Sequence, residues 1–188
     1  MFKKLFILLF QLITAPTQTW ETLSEEQLEN NEEFQKSYFF PIVGIIALLA
    51  FAGLLLSDRT FTFQAAMKEV IKQVLIYGGS FYLISFIFSE YVFPRFDVGK
   101  NKLFAERFTG YASSLVYVVA MVETLFPYFL MKILIFYTVY IVWTGGIKFL
   151  GIEEKQWIKF TIFASLLILA VPVVIEGIIY WLMPGLGA

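Results

Sequence analysis

The chain contains no cysteine and no histidine among its 188 residues. The absence of cysteine excludes disulfides and thiolate metal ligands. Without histidine as well, the chain lacks the commonest metal ligands, the commonest general base and the best nucleophile. It also has no Gly-x-Ser-x-Gly elbow, no P-loop and no dinucleotide fingerprint. The sequence therefore predicts a protein that is not an enzyme and that uses neither a metal ion nor a cofactor.

Charged residues are also scarce, at 15% of the chain, and the formal net charge is -1. Aspartate occurs only as Asp58 and Asp97, which fall in different predicted loops, so no intramembrane aspartyl pair is available. Recognition of nucleic acid needs a clustered basic surface, and the sequence has none. We therefore expect no nucleic-acid partner.

Apolar residues dominate instead: 59% of the chain is hydrophobic, 19% is aromatic, and the mean hydropathy is +0.76. This composition is typical of an integral membrane protein whose partner is the lipid bilayer. Runs near the roughly 20 residues needed to cross a bilayer predict an all-α bundle of five transmembrane helices. The predicted spans are Phe39–Leu56, Val70–Tyr91, Phe108–Phe126, Tyr128–Leu150 and Phe160–Leu182.

Two features of the spans bear on packing. Pro41 lies in the first turn of the first predicted span, where a missing N–H is tolerated, so it is predicted to mark a helix start. Aromatic residues at the span ends, such as Tyr38, Phe39 and Phe93, are predicted to lie at the lipid headgroups. Small residues inside the spans, such as Gly78 and Gly145, are predicted to be helix contacts.

Residues 1–36 differ in character from the five-helix transmembrane domain predicted for residues 37–188. Met1–Ile13 is too short to span a bilayer and lacks a good cleavage site, so it predicts an amphipathic helix lying at the membrane interface. Pro16–Lys36 is rich in glutamate and is predicted to be exposed to water. The acidic stretch from Glu21 to Glu33 is either a docking segment for a cytoplasmic protein partner or a solvated helix and linker.

The distribution of lysine and arginine predicts the orientation, because positively charged loops remain in the cytoplasm. Four of the 14 basic residues fall on one predicted side: Arg59, Lys68, Lys72 and Lys132. The others fall on the side of the amino terminus. We therefore expect a cytoplasmic amino terminus and an outside carboxyl terminus.

Charged residues within spans are expensive, so each requires a role. Glu123 and Lys132 flank the predicted bend at Pro127 between the third and fourth spans, and Glu176 lies at a similar depth on the fifth. Pro172 precedes Glu176 by one helical turn and is predicted to kink that helix. These residues form a candidate intramembrane polar cluster. It is either a proton, cation or headgroup site or a structural ion pair.

The chain resembles the Yip family (Ypt-interacting proteins) in its bacterial form. The resemblance is carried by the motif Ile13-Thr-Ala-Pro-Thr-Gln-Thr-Trp-Glu-Thr-Leu23 and by Tyr137–Gln156, which includes Trp143-Thr-Gly-Gly. It implies a five-span protein of the bacterial cytoplasmic membrane. Eukaryotic relatives bind small GTPases in vesicle trafficking, but the cytoplasmic amino-terminal segment of this chain is far shorter.

Together these features predict a non-enzymatic scaffold or membrane-organising factor of the Yip type, which could also form a homo-oligomer. The alternative is a small transporter or channel component that uses Glu123, Lys132 and Glu176 as a polar site near the outer leaflet.

Overall fold

The computed structural model describes residues 2–25, 31–56, 61–125 and 133–182, and all the regular secondary structure in these ranges is helical. The predicted all-α class is therefore confirmed. Helices are numbered below in chain order.

The chain begins with two short helices, α1 (Phe2–Thr14) and α2 (Pro16–Glu25). Backbone hydrogen bonds continue across the bend between them: the Ala15 N–H donates to the Gln11 carbonyl at 2.8 Å, and the Thr19 N–H donates to the Ala15 carbonyl at 3.1 Å. Ser24 lies inside α2 and its hydroxyl donates to the Glu21 carbonyl.

The first long helical segment starts well before Pro41. A short helix α3 (Asn31–Phe34) leads through a π-helical turn, Gln35–Phe39, into α4 (Phe40–Leu56). In that turn the Phe40 N–H donates to the Gln35 carbonyl. Because Pro41 has no N–H and its ring crowds the preceding turn, the wider π turn absorbs it. The prediction that Pro41 marks a helix start is wrong.

The second long helical segment also contains a π-helical turn before a proline. Helix α5 (Phe63–Ile87) is capped by Thr62, whose hydroxyl accepts a hydrogen bond from the Ala65 N–H at 3.2 Å. It continues as a π turn, Phe88–Val92, in which the following Phe93 N–H donates to the Phe88 carbonyl just before Pro94. A 3-10 turn, Phe93–Phe96, then ends at Asp97 in the left-handed conformation, with φ 60°.

The structure describes four further α-helices with their bounds: α6 (Lys102–Ala112), α7 (Ser114–Glu123), α8 (Thr138–Lys148) and α9 (Trp157–Leu182). The first two are nearly one helix, because the Ser113 N–H donates to the Thr109 carbonyl and the Tyr117 N–H to the Ser113 carbonyl, both at 3.0 Å. Short 3-10 turns precede α8 and α9 at Ile135–Tyr137 and Glu154–Gln156.

Three helical segments among the described residues are long and apolar enough to cross a membrane: Glu32–Leu56, Phe63–Phe96 and Glu154–Leu182. They correspond to the first, second and fifth predicted spans. The predicted third and fourth spans meet at residues 126–132, which lie outside the described residues, and α7 is a shorter apolar helix. The chain is an integral membrane protein with at least these three candidate spans.

Aromatic side chains form much of the core. Trp20, Phe34, Phe88, Phe93 and Phe108 are completely buried. Tyr38, Phe39 and Phe93, which were predicted at the lipid headgroups, are buried between helices and do not face lipid, while their depth in the membrane stays a prediction.

Trp20 joins α2 to this core. Its ring stacks on Phe108 with centroids 5.6 Å apart and lies 5.2 Å from the Phe149 ring, and its Nε1–H donates to the Ile141 carbonyl at 3.0 Å. Leu23 of the same helix is also buried. The prediction that Pro16–Lys36 is exposed to water is wrong for these residues, since one face of α2 packs along α8.

Candidate functional site

A polar cavity of about 770 Å³ lies between α4, α5, α7 and α9. Its size falls within the range of small-molecule sites in proteins. Both predicted carboxylates, Glu123 and Glu176, line it together with Pro172. Among the residues that the structure describes, the other polar ones in its wall are Glu69, Lys72, Gln73, Tyr77 and Thr124.

Close contact between α4 and α7 sets the position of Glu123. A Cβ atom at Gly53 would overlap the carbonyl oxygen of Thr124, so only glycine allows the backbones to approach so closely. Glu123 is the last residue of α7 and is partly buried. The contact therefore holds this carboxylate at the cavity wall.

Tyr77 lines the same cavity as the two predicted carboxylates. Its side chain lies near enough to Glu176 and Glu123 for both to act on it electrostatically. The three residues belong to α5, α9 and α7, so the tertiary fold brings together groups that are far apart in sequence. That Glu123 and Glu176 lie at a similar depth in the membrane stays a prediction.

Lys72 is the buried cation that the structure shows in this wall. Only 7% of it is exposed, and its Nζ lies 2.7 Å from Glu69 Oε1 and 3.3 Å from the Tyr180 hydroxyl. Its ammonium group also lies 5.4 Å from the centre of the Tyr180 ring. Glu69 accepts a second hydrogen bond from Gln73 Nε2 at 2.8 Å. These contacts fix Lys72 in a single position.

From the sequence, Lys72 is predicted only as a basic residue of the side opposite the amino terminus. Its burial in the cavity wall was not predicted. The reason is that α5 begins at Phe63, one to two turns before the predicted start at Val70. A signal was present: Glu69, Lys72 and Gln73 have the i, i+3, i+4 spacing that places side chains on one helical face.

Lys132 and Pro127, the other residues predicted at this site, lie outside the described residues. Pro172 is inside α9, which remains helical on both sides of it. Proline cannot donate to the carbonyl of Ile168, so the predicted kink stays a prediction with that physical basis. The position of Pro172 in the cavity wall is shown.

A second group of buried charges lies where α6 meets the amino-terminal helices. The Arg107 guanidinium donates to the Leu23 carbonyl at 2.8 Å and lies 5.3 Å from the centre of the Phe149 ring. The neighbouring Glu106 is completely buried and accepts a hydrogen bond from Gln35 Nε2 at 2.7 Å. Both charged side chains are therefore buried between helices.

Glu90 pairs with Lys100 at 2.6 Å. The hydrogen bond from the Lys100 ammonium to this carboxylate raises the pKa of Lys100 above its ordinary value. Because Lys100 is exposed, the pair contributes little to stability. We regard it as a surface contact.

No group of three acidic residues suited to a metal ion occurs in the ranges that the structure describes. The cavity's chemistry is that of hydrogen bonding and charge: carboxylates that accept from a cation, and an ammonium, an amide and a phenol that can donate.

Comparison with known proteins yields one family. The model of the Yip1 domain matches residues 10–183, which is most of the chain. No curated protein and no solved structure matches it.

Proposed function

Because the chain belongs to the Yip1 domain family, we propose that it is a non-enzymatic membrane-organising protein that acts through its amino-terminal helix α1. In this proposal α1 lies at the cytoplasmic interface of a bacterial inner membrane and is held there by the helix bundle. The proposal includes five spans, a cytoplasmic amino terminus and an outside carboxyl terminus.

The supporting observation is the division of α1 into three faces. Leu5, Leu9 and Leu12 are buried against the rest of the protein. Phe2, Phe6 and Phe10 are spaced four residues apart, share a face, and are 50 to 67% exposed. Lys3, Lys4, Gln11 and Thr14 lie on the remaining arc, which they share with Ile7, and all five are exposed.

This arrangement suits a helix embedded shallowly in one leaflet. The phenylalanine face would enter the acyl boundary while the lysines stay with the headgroups and contact anionic lipid. A helix inserted into one leaflet adds area to that leaflet only. Since α1 also packs on the helix bundle, each protein would hold this helix at a fixed depth in the leaflet.

The absence of cysteine makes a direct test possible, because a single introduced cysteine can carry an environment-sensitive fluorophore without background labelling. We expect the label at Phe6→Cys in proteoliposomes to show a blue-shifted emission that shallow lipid quenchers reduce. The matched label at Gln11→Cys should report water. Equal, water-like spectra from both positions would contradict the proposal.

A second measurement tests the organising activity. Reconstituted parent protein should shift the distribution of vesicle diameters toward smaller values, and Phe6→Gln/Phe10→Gln should abolish the shift. The control Gln11→Ala/Thr14→Ala changes the polar arc of the same helix and should retain it. If the parent leaves vesicle diameters unchanged, the organising role is excluded.

A cytoplasmic protein partner at Glu21 to Glu33 stays part of the proposal in a narrower form. Glu25, Glu32 and Glu33 are exposed, and Glu32 pairs with Lys36 at 2.8 Å. Glu21 is half-exposed and pairs with Lys148 at 2.5 Å. Cross-linking from the exposed positions should capture a partner, or a second copy of the chain, and Glu25→Gln/Glu33→Gln should reduce the yield. Identical yields from parent and variant would exclude these carboxylates as the docking surface.

The alternative function, a small transporter, is favoured by the cavity that Glu123 and Glu176 line. It predicts a proton flux into liposomes that Glu176→Gln lowers. If neither parent nor variant produces flux, this alternative is excluded.

A further inference from the structure

The polar cavity has properties that the membrane-organising role does not use. We propose that it binds the zwitterionic headgroup of an aminophospholipid, with Glu123 and Glu176 receiving the ammonium group. This inference rests on α4, α5, α7 and α9 and is independent of α1, so either can fail without the other.

The first argument is the size and mixed chemistry of the cavity. At about 770 Å³ it is far larger than a single ion needs. Its wall combines polar groups with aliphatic side chains such as Leu54, Ile76 and Leu169. A ligand with both a charged head and an apolar part matches this lining better than a hydrated ion does.

The second argument is that the wall carries charges of both signs. Glu123 and Glu176, from α7 and α9, line the cavity as carboxylates. Lys72 and Gln73, from α5, both donate to Glu69, and Lys72 also donates to Tyr180, so each keeps one N–H for a ligand. Carboxylates suit an ammonium group and N–H donors suit a phosphate, so the two ends of a phosphoethanolamine group both find partners.

The third argument is access from the lipid. Leu56 and Val173 line the cavity and yet are 77% and 66% exposed. Both belong to helical segments that are long and apolar enough to cross the membrane. The cavity therefore opens on the apolar surface of these two segments, and in our proposal a lipid places its head inside while its tails stay in the bilayer. A soluble amine has no acyl chains and so gains nothing from an opening on the apolar surface.

The charge of the ammonium alone does not set the selectivity that we expect. A primary ammonium has three N–H donors, whereas the trimethylated ammonium of phosphatidylcholine has none. Hydrogen bonds to a charged group at a partly buried site correspond to roughly tenfold or greater differences in affinity. The protein should therefore prefer phosphatidylethanolamine over phosphatidylcholine by about tenfold or more, with intermediate values for the mono- and dimethylated lipids.

Native mass spectrometry of the full chain, with dioctanoyl phosphatidylethanolamine and phosphatidylcholine in competition, measures this preference. Glu123→Gln/Glu176→Gln should reduce it to about equal occupancy, since an amide accepts more weakly than a carboxylate. The control Glu153→Gln/Glu154→Gln removes the same charge from exposed positions and should leave the preference unchanged. Equal binding of the two lipids to the parent, or an unchanged preference in the cavity variant, overturns the proposal.

Two further arms keep the test decisive. If the double variant does not fold, the methylation series on the parent protein decides alone: occupancy that does not fall with each added methyl group overturns the proposal. Phosphoethanolamine without acyl chains is the second arm, and binding as tight as that of the lipid would overturn the lipid assignment.

The predicted pairing of Lys132 with these carboxylates provides a competing explanation. If Lys132 neutralises them, the parent should show no preference for phosphatidylethanolamine and Lys132→Gln should create one. That result also overturns the proposal.

Discussion

Gly145 and Gly78 are both glycines inside apolar helices, but only Gly145 is needed for close packing. A Cβ atom at Gly145 would lie 2.7 Å from the Trp20 ring, whereas one at Gly78 would meet no atom within 4 Å. We expect Gly145→Ala to lower the free energy of unfolding by about 1 to 3 kcal/mol through overpacking. Thermal unfolding of the detergent-solubilised protein measures the change.

The matched control is Gly78→Ala. With space around its Cβ, this variant should be as stable as the parent or slightly more stable, because alanine restricts the unfolded chain. Equal stability losses in both variants would show that the Trp20 contact is not the cause.

Arg107 is the second residue whose contribution to stability can be tested, because its side chain contacts both α2 and Phe149. Arg107→Met removes the hydrogen bond to the Leu23 carbonyl and the charge above the Phe149 ring. We expect a loss of about 1.5 to 3 kcal/mol, because a hydrogen bond from a charged donor is lost in a buried place. The exposed Arg95→Met is the control and should be nearly neutral. Arg107→Met should have a lower thermal midpoint than Arg95→Met. It should also be cleaved faster near α2 in limited proteolysis.

At the scale of an element, Trp20 attaches α2 to the core through its ring contacts and its hydrogen bond. Trp20→Phe keeps an aromatic ring but loses the donation to the Ile141 carbonyl, and should cost about 0.5 to 1.5 kcal/mol. Trp20→Ala also empties the site between Phe108 and Phe149, and should cost about 3 to 5 kcal/mol. Thermal unfolding in detergent ranks the variants. Similar losses for both would mean that the indole N–H, not the ring, holds α2 in place.

The π turns show a second regularity among the elements. Each ends at a Phe-Pro pair, Phe40-Pro41 or Phe93-Pro94, and in each the phenylalanine N–H bonds to a carbonyl five residues earlier. The proline cannot donate in the next α-helical position, so the local widening follows from the missing N–H. The helical path thereby passes each proline without ending there.

The whole molecule has an orientation that cysteine labelling can determine. With the amino terminus in the cytoplasm, a membrane-impermeant maleimide should label Ala188→Cys in intact cells, and Lys155→Cys only after permeabilisation. The expectation follows from the excess of lysine and arginine on the amino-terminal side. The cysteine-free parent is the background control. Labelling of Lys155→Cys in intact cells would reverse the proposed topology.

The sequence by itself determined that this protein is embedded in a lipid bilayer. Five apolar runs, few charges and no histidine or cysteine predict an all-helical membrane protein, and the Ile13–Leu23 and Tyr137–Gln156 motifs indicate the family. The all-helical class and the family are confirmed. Such properties depend on composition and local periodicity, which a sequence displays directly.

The tertiary structure alone decided which polar and aromatic side chains meet. Glu123 and Glu176 were found from the sequence because a charge inside an apolar run is conspicuous. Lys72, Arg107 and Trp20 were misplaced because each lies near a predicted helix boundary or in a polar stretch, where sequence cannot distinguish exposed from buried positions. Their burial depends on helices distant along the chain, since Lys72 contacts Tyr180, Arg107 contacts Leu23, and Trp20 contacts Ile141. Contacts over such separations depend on how helices pack, which no local pattern in the chain encodes.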